Sequence, residues 1–186
     1  MQEGQVNVGS GCPDTPIPFA VECTVGGLSE AMTDIYIDAD ACPVREETYR
    51  VAIRLGLPVF VVSNGSRPIR PPGHANVRMV IVDAAPDAAD DWIAERITES
   101  DVCVTADIPL AARCLAKSAR AVSPSGRQWT QDNIGNALAG REVARHMREI
   151  GLTTGGPATL SRADRSRFLM TLDTAAQAAI KSAGRQ

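Results

Sequence analysis

Carboxylates recur in this sequence where short apolar runs end. "IYIDADACP" sets Asp38 and Asp40 at the end of one such run, just before Pro43. If the run is a strand, the pair stands at its C-terminal tip. Two carboxylates there suit a hard divalent cation, because Mg²⁺ takes oxygen ligands in octahedral geometry. One of them would also serve to cap the following helix, but a single cap accounts for only one carboxylate. A second acidic stretch, "DAAPDAADDWI", holds Asp83, Asp87, Asp90 and Asp91. At about 100° per residue on a helix, Asp90 falls beside Ile93 and Ile97 on the inward face, and Asp91 points away from them. A carboxylate on an apolar face is costly unless it is paired or coordinating. The blander role for Asp90 is partner in a capping box begun by Asp87, and for Asp91 a solvated charge near a helix start. In "DVCVTADIPLA", Asp107 follows a third apolar run, two residues after Thr105. An N-cap before Pro109 competes strongly for that residue, since proline favours the first helical turn. Together the three acids could form a carboxylate cage that binds one or two metals, positions a phosphodiester and activates the attacking water.

Other groups invite weaker functional assignments. Ser63, Asn64 and Ser66, then Arg67 and Arg70, occupy a loop whose hydroxyls, amides and guanidinium groups suit a phosphate. Ordinary loop polarity explains them equally well. "GRQWTQDNI" carries Arg127, Trp129, Thr130 and Asn133, where Trp129 could stack a base and the polar groups touch phosphate. Trp129 as a packed residue before a helix is at least as good an account. Arg141, Arg145 and Arg148 share a helix face that could track a nucleic-acid backbone, although an exposed charged face is the simpler explanation. Cys42 lies beside the acids without a nearby histidine, which favours packing over nucleophilic catalysis. His74 and His146 have no metal-ligand or triad spacing and read as structural or solvated. "TTGGP" reads as a tight turn.

The elements that must position these residues alternate. From Asp34 onward, the runs "DIYID", "PVFVVS", "VRMVIV", "VCVT" and "RAV" read as strands separated by amphipathic segments, the signature of a mainly parallel sheet. Helices are expected from Pro43 to Gly56, from about Ala88 to Glu99 and from Pro109 to about Lys117. Two C-terminal helices follow, from about Gln131 to Ile150 and from Ser161, where Asp164 gives a capping-box spacing. The long polar connection "NGSRPIRPPGHAN" separates the second and third strands. Residues 1–31, rich in Gly, Pro, Ser and Thr, read as a flexible extension to a single domain over 32–186, with Met32 as an alternative start.

Composition excludes several classes. A net charge of −3 gives no global basic field, so nucleic acid would have to be met by a local patch. Five irregularly spaced cysteines fit neither a disulfide framework nor a CxxC zinc site, and point to a reducing cytoplasm. No run approaches the ~20 apolar residues of a membrane span, and no secretory leader is recognisable.

As a set, "YIDADACPV", "VVSNGS", "DAADDWI", "VTADIPLA", "GRQWTQDNI" and "GGP" resemble the bacterial YaiI/YqxD family, over essentially Met32 to the C-terminus. That family is assigned to the PIN-like fold, a three-layer α/β domain with a mainly parallel sheet and C-terminal helices. PIN-like domains are typically metal-dependent nucleases, with acids after the first strand, in a middle helix and after a later strand. The resemblance implies Asp38, Asp90 and Asp107 in those places, Asp40 or Asp91 as helpers, Mg²⁺ or Mn²⁺ as the metal and RNA as the substrate. A fold is not a function, and inactive PIN-like members exist. Two rivals follow from the same residues. An apolar strand ending in DxD with a later "VVSNGS" is similar to haloacid-dehalogenase-like phosphatases, with Asp38 as nucleophile and Asp40 as acid/base. Against it, "ACP" follows the DxD, and no lysine stands between Ser63 and the acidic stretch, Lys117 falling too late. The third class is a noncatalytic RNA- or nucleotide-binding module. The oligomeric state is left open.

Overall fold

A computed structural model describes residues 32–40, 42–65, 69, 73–151 and 159–185. The expected extension over 1–31, the loop residues Ser66, Arg67 and Arg70, and the whole of "TTGGP" lie outside the described residues. Five parallel strands form the body of one sheet: β1 (Ile35–Asp38), β2 (Val59–Ser63), β3 (Val77–Ile81), β4 (Val102–Val104) and β5 (Arg120–Val122). A two-residue strand, β6 (Gln128–Trp129), adds antiparallel to β5, giving the order β3-β2-β1-β4-β5-β6. The helices are α1 (Arg45–Leu55), α2 (Ala88–Arg96), α3 (Ile108–Ala116), α4 (Gln131–Glu149) and α5 (Arg162–Ala183).

Strand alternation sorts the side chains onto two faces. Ile35, Ile37, Val59 and Val61 pack with Tyr49, Val51 and Ala52 of α1 and with Phe168, Leu172, Ala175, Ala176 and Ala179 of α5. The alternate residues Tyr36, Val62 and Cys103 pack with Ile93 of α2 and with Leu110, Ala111 and Cys114 of α3. Three layers result, α1 and α5 on one side of the sheet and α2 and α3 on the other. The buried stripe of α5 includes the small residues Ala175, Ala176 and Ala179. No described helix is long and apolar enough to cross a membrane.

Helix boundaries refine the expectations. Pro43 and Val44 lie in a turn, and α1 starts at Arg45. Gly56 ends it with φ at 70°, the left-handed conformation that suits glycine. Asp87 precedes α2 with φ at 61° and makes no capping bond through its side chain, so the capping box that would have explained Asp90 is not formed. Ser161 and Asp164 do form theirs at the start of α5.

The N-terminal end of β1 holds a second acidic pair. The Asp34 amide donates to Asp101 Oδ1 at 2.9 Å, while Asp101 Oδ2 accepts from the amide and hydroxyl of Thr98, each at 2.7 Å. Burial, and then the Asp101 charge, raise the Asp34 carboxyl to about 6, with Arg78 opposing. The folded chain thus holds this proton more tightly than the unfolded chain. Its stabilising effect is complete below about pH 4 and is lost as pH rises through about 6. Asp34→Asn is expected to add about 1–2 kcal/mol at pH 8, after allowance for solvent screening, and close to nothing at pH 4. Denaturant unfolding at the two pH values checks this, and an equal gain at both would contradict it.

Candidate functional site

Topology decides where a ligand can enter. β1 runs into α1 on one side of the sheet, and its neighbour β4 runs into α3 on the other. The connections therefore part between β1 and β4, which opens a crevice at the C-terminal edge of the strands, where open parallel sheets bind ligands. Along that edge the strands give way to buried polar residues: Ser63 closing β2, Asp38 closing β1, Thr105 just after β4 and Ser123 just after β5.

The alternation that turns Tyr36 toward α2 and α3 turns Asp38 the same way, and Thr105 continues the phase of Cys103. Thr105 donates its hydroxyl to Asp38 Oδ2 at 2.9 Å, deep in the protein, and its oxygen accepts the Asp107 amide at 2.9 Å. Asp107 caps α3 by accepting the Leu110 amide, so the capping role expected of it is real. Its other oxygen is paired with Arg141, which reaches over from α4. Asp90 is half-buried on α2 and feels the charges of Asp38 and Asp107, whereas Asp91 is exposed and pairs with Arg113 at 2.8 Å. Helix phase thus separates the two adjacent acids correctly.

Electrostatics tie the three acids into one cluster. Burial pushes the Asp90 carboxyl up to about 7, followed by the Asp38 and Asp107 charges and by the hydrogen bond with Asp107. Asp38 is also raised, chiefly by burial; the Thr105 hydrogen bond opposes this, and the charges of Asp40 and Asp107 add to it. Two carboxyls held above their ordinary range, chiefly by burial and further by neighbouring carboxylates, mark a region of negative potential that Arg141 offsets only at Asp107. Its all-oxygen donors suit a hard divalent cation in chemistry. As placed, no three His, Cys, Asp or Glu side chains among the described residues stand in a geometry that would hold a metal ion.

Asp40 does a different job. Its Oδ1 accepts the Ser63 hydroxyl at 2.7 Å and its Oδ2 the Asn64 amide at 3.0 Å, which pins the end of β2 to the β1–α1 loop. Ser63 is buried and its oxygen also accepts the Gly65 amide. Thr130 and Asn133 build the start of α4: Asn133 Oδ1 accepts the Thr130 amide at 3.1 Å, and its amide nitrogen donates to Gln128 O at 3.0 Å. Trp129 is packed in the core on the α3 side, and the Arg127 guanidinium lies over its ring at 4.6 Å. Cys42 is buried beside the acids, and burial lifts its thiol to about 12, which excludes a ready thiolate. Arg145 is engaged by Glu142 and Glu149 on its own helix, whereas Arg141 of the same basic face meets Asp107.

Beside the acids lies a cleft of about 850 Å³. The β1–α1 loop, the β4–α3 loop, the β5–β6 turn and the start of α5 surround it, and three arginines, Arg45, Arg127 and Arg165, line it. Of these only Arg127 stood out in the sequence. Arg45 and Arg165 come together through the packing of α5 on α1, which no local pattern announces.

Fold and site together define an open, mainly parallel α/β domain with an acidic cluster and a cationic cleft at its strand-order switch. The chain belongs to the YaiI/YqxD family, described as "Uncharacterized BCR, YaiI/YqxD family", whose pattern matches residues 36–178. A UPF0178 protein of Rhodospirillum rubrum is 54% identical over 145 residues, covering 78% of this chain and 96% of that protein. One from Rhodospirillum centenum is 56% identical over 147 residues, covering 77% and 94% respectively. Another, from Caulobacter vibrioides, is 53% identical over 139 residues, covering 75% and 90%. The match shows that the resemblance to this family read from the motifs holds. No solved structure matches the chain.

Proposed function

We propose that this protein is a divalent-cation-dependent hydrolase of nucleic-acid phosphodiesters, RNA being the expected substrate. One observation carries the proposal: Asp38, Asp90 and Asp107 come from three separate segments, yet meet at the switch point, where Thr105 bonds both the Asp38 carboxylate and the Asp107 amide and where the charges of Asp38 and Asp107 help to raise the Asp90 carboxyl. Structural acids seldom gather this way, because each raises the cost of ionising the next. Asp38, Asp90 and Asp107 would hold Mg²⁺ or Mn²⁺, which when bound supplies activation of the attacking water and charge neutralisation at the phosphate. Thr105 fixes the Asp38 carboxylate through its hydroxyl. Arg141 neutralises part of Asp107 and would have to yield that oxygen for the carboxylates to close on one ion. Asp40 keeps the loop after β2 in place.

The phosphatase reading finds less support. Lys117 follows the last turn of α3, opposite to the end that Asp107 caps, with Nζ on Glu95 O at 2.8 Å. Both Asp40 oxygens are already engaged by Ser63 and Asn64, which suits an anchoring carboxylate better than a proton carrier.

A calorimetric titration with Mn²⁺ tests the proposal and separates it from the noncatalytic reading. Saturable binding at or below the millimolar range is expected, weakened at least about tenfold by Asp90→Asn, a change of about 1.4 kcal/mol or more. No binding at millimolar Mn²⁺, or equal binding by the variant, would count against it.

A further inference from the structure

The cleft combines features that the acids do not explain. Arg45 Nη1 donates to Ala39 O at 3.2 Å, and Arg165 Nη1 donates to Glu47 at 2.6 Å and to Pro43 O at 3.4 Å. Both guanidinium groups are thereby braced on the β1–α1 segment, and a guanidinium has more N–H donors than these bonds use. Arg127 approaches from the β5–β6 turn, exposed, with its guanidinium over the Trp129 ring. Three guanidinium groups from three elements thus share a concavity with the Ser123 and Ser125 hydroxyls, which lie 2.9 Å apart. The remaining wall is largely apolar, including Ile69, Ile108, Leu160 and Pro124.

A volume of about 850 Å³ far exceeds what a bare phosphate fills, and falls in the range of sites that take a small organic molecule. Arginine forks suit phosphate oxygens in bidentate geometry, and an apolar wall suits a base and sugar. Asp40 stands in the wall itself with both oxygens engaged by Ser63 and Asn64, and the wall residues Ala39 and Ala106 are the chain neighbours of Asp38 and Asp107, so the cleft and the acids lie side by side.

We infer that the switch-point cleft is a nucleoside-phosphate site, with Arg127, Arg45 and Arg165 receiving the phosphate and the apolar wall receiving the nucleoside. The choice of a nucleotide as occupant rests on the proposed function; the cationic, apolar-walled cleft stands without it. Arg127 is the residue to vary, because it is exposed and takes part in no buried ion pair among the described residues.

The test is calorimetric titration of the full chain with adenosine 5′-monophosphate, adenosine and inorganic phosphate, in EDTA so that no cation is required. The monophosphate is expected to bind at least tenfold more tightly than either fragment. Arg127→Ala should weaken it at least tenfold without moving the melting temperature, and Arg127→Lys should restore part of the loss. Absence of binding, equal affinity for inorganic phosphate, or an unaffected Arg127→Ala variant would overturn the inference. The two proposals fail separately. Arg127-dependent nucleotide binding in a protein that ignores Mn²⁺ removes the hydrolase and keeps the cleft. Cation-dependent cleavage with KM unchanged in Arg127→Ala does the reverse.

Discussion

Gly126→Ala is expected to destabilise the protein by about 3–5 kcal/mol, more than an ordinary surface substitution by a wide margin. Gly126 closes the turn between β5 and β6 with φ at 81°, its amide donating to Ser123 O at 2.9 Å. A left-handed backbone costs a residue with a Cβ about 1–2 kcal/mol. The larger penalty comes from outside the turn. A Cβ at this position would stand 2.6 Å from the Phe168 amide nitrogen and 2.7 Å from the Arg167 carbonyl carbon, both in the backbone of α5. Helix backbone cannot step aside as a flexible side chain can, so overlap of this kind adds about 1–3 kcal/mol. The turn would have to lift from α5, breaking the bond from the Thr171 hydroxyl to Gly126 O at 2.9 Å. Because Ser123, Ser125 and Arg127 line the cleft from this turn, nucleotide binding should fall together with stability. Urea denaturation checks the first effect, and a loss below about 1 kcal/mol would show that the turn does not depend on its close approach to α5.

Asp38→Asn should act in the opposite sense, leaving the fold intact and removing the activity. An asparagine oxygen can still accept the Thr105 hydroxyl, so the buried hydrogen bond survives. The carboxylate it replaces is raised mainly by burial and further by neighbouring acids, so the folded protein is strained by its charge. Losing that charge should therefore not destabilise the protein at neutral pH, and should add stability. The chemistry is affected differently. An amide oxygen is a weaker ligand for a hard cation than a carboxylate, and the cluster loses a full negative charge. Cleavage should fall at least about 10³-fold, equivalent to about 4 kcal/mol of transition-state stabilisation. A residue with a purely structural role would show the reverse pattern, a loss of stability with little specific loss of rate.

The contrast between these two positions reflects what sequence can carry. Alternating apolar runs were enough to find the parallel strands, because a buried strand records its burial in its own residues. Helix phase separated Asp90 from Asp91 for the same reason: Ile93 and Ile97, a turn or two away, state which side faces the core. The strand-tip acids Asp38 and Asp107 were visible because each ends an apolar run. The residues that could not be read depend on distant partners. β6 is two residues long and exists only because Gln128 and Trp129 meet β5 across a tight turn. Gly126 is constrained by α5, about forty residues further on, and Arg165 enters the cleft through a bond to Glu47 in α1. Asp40 reads in sequence as a twin of Asp38, yet its carboxylate is spent on Ser63 and Asn64, whose approach depends on how β2 pairs with β1. Thr130 and Asn133 show a further ambiguity: the groups that suit phosphate also suit helix N-termini, and here they are used at one.

The most direct test is a parallel cleavage assay of the wild-type chain and Asp38→Asn on single-stranded RNA, with Mg²⁺ or Mn²⁺ and with EDTA. Cation-dependent cleavage by the wild type is expected, abolished by EDTA and reduced at least about 10³-fold in a variant that remains folded. Failure of the wild type to cleave any of several single-stranded substrates, or cleavage that persists unchanged in Asp38→Asn, would contradict the assignment of this acidic cluster as a hydrolytic centre.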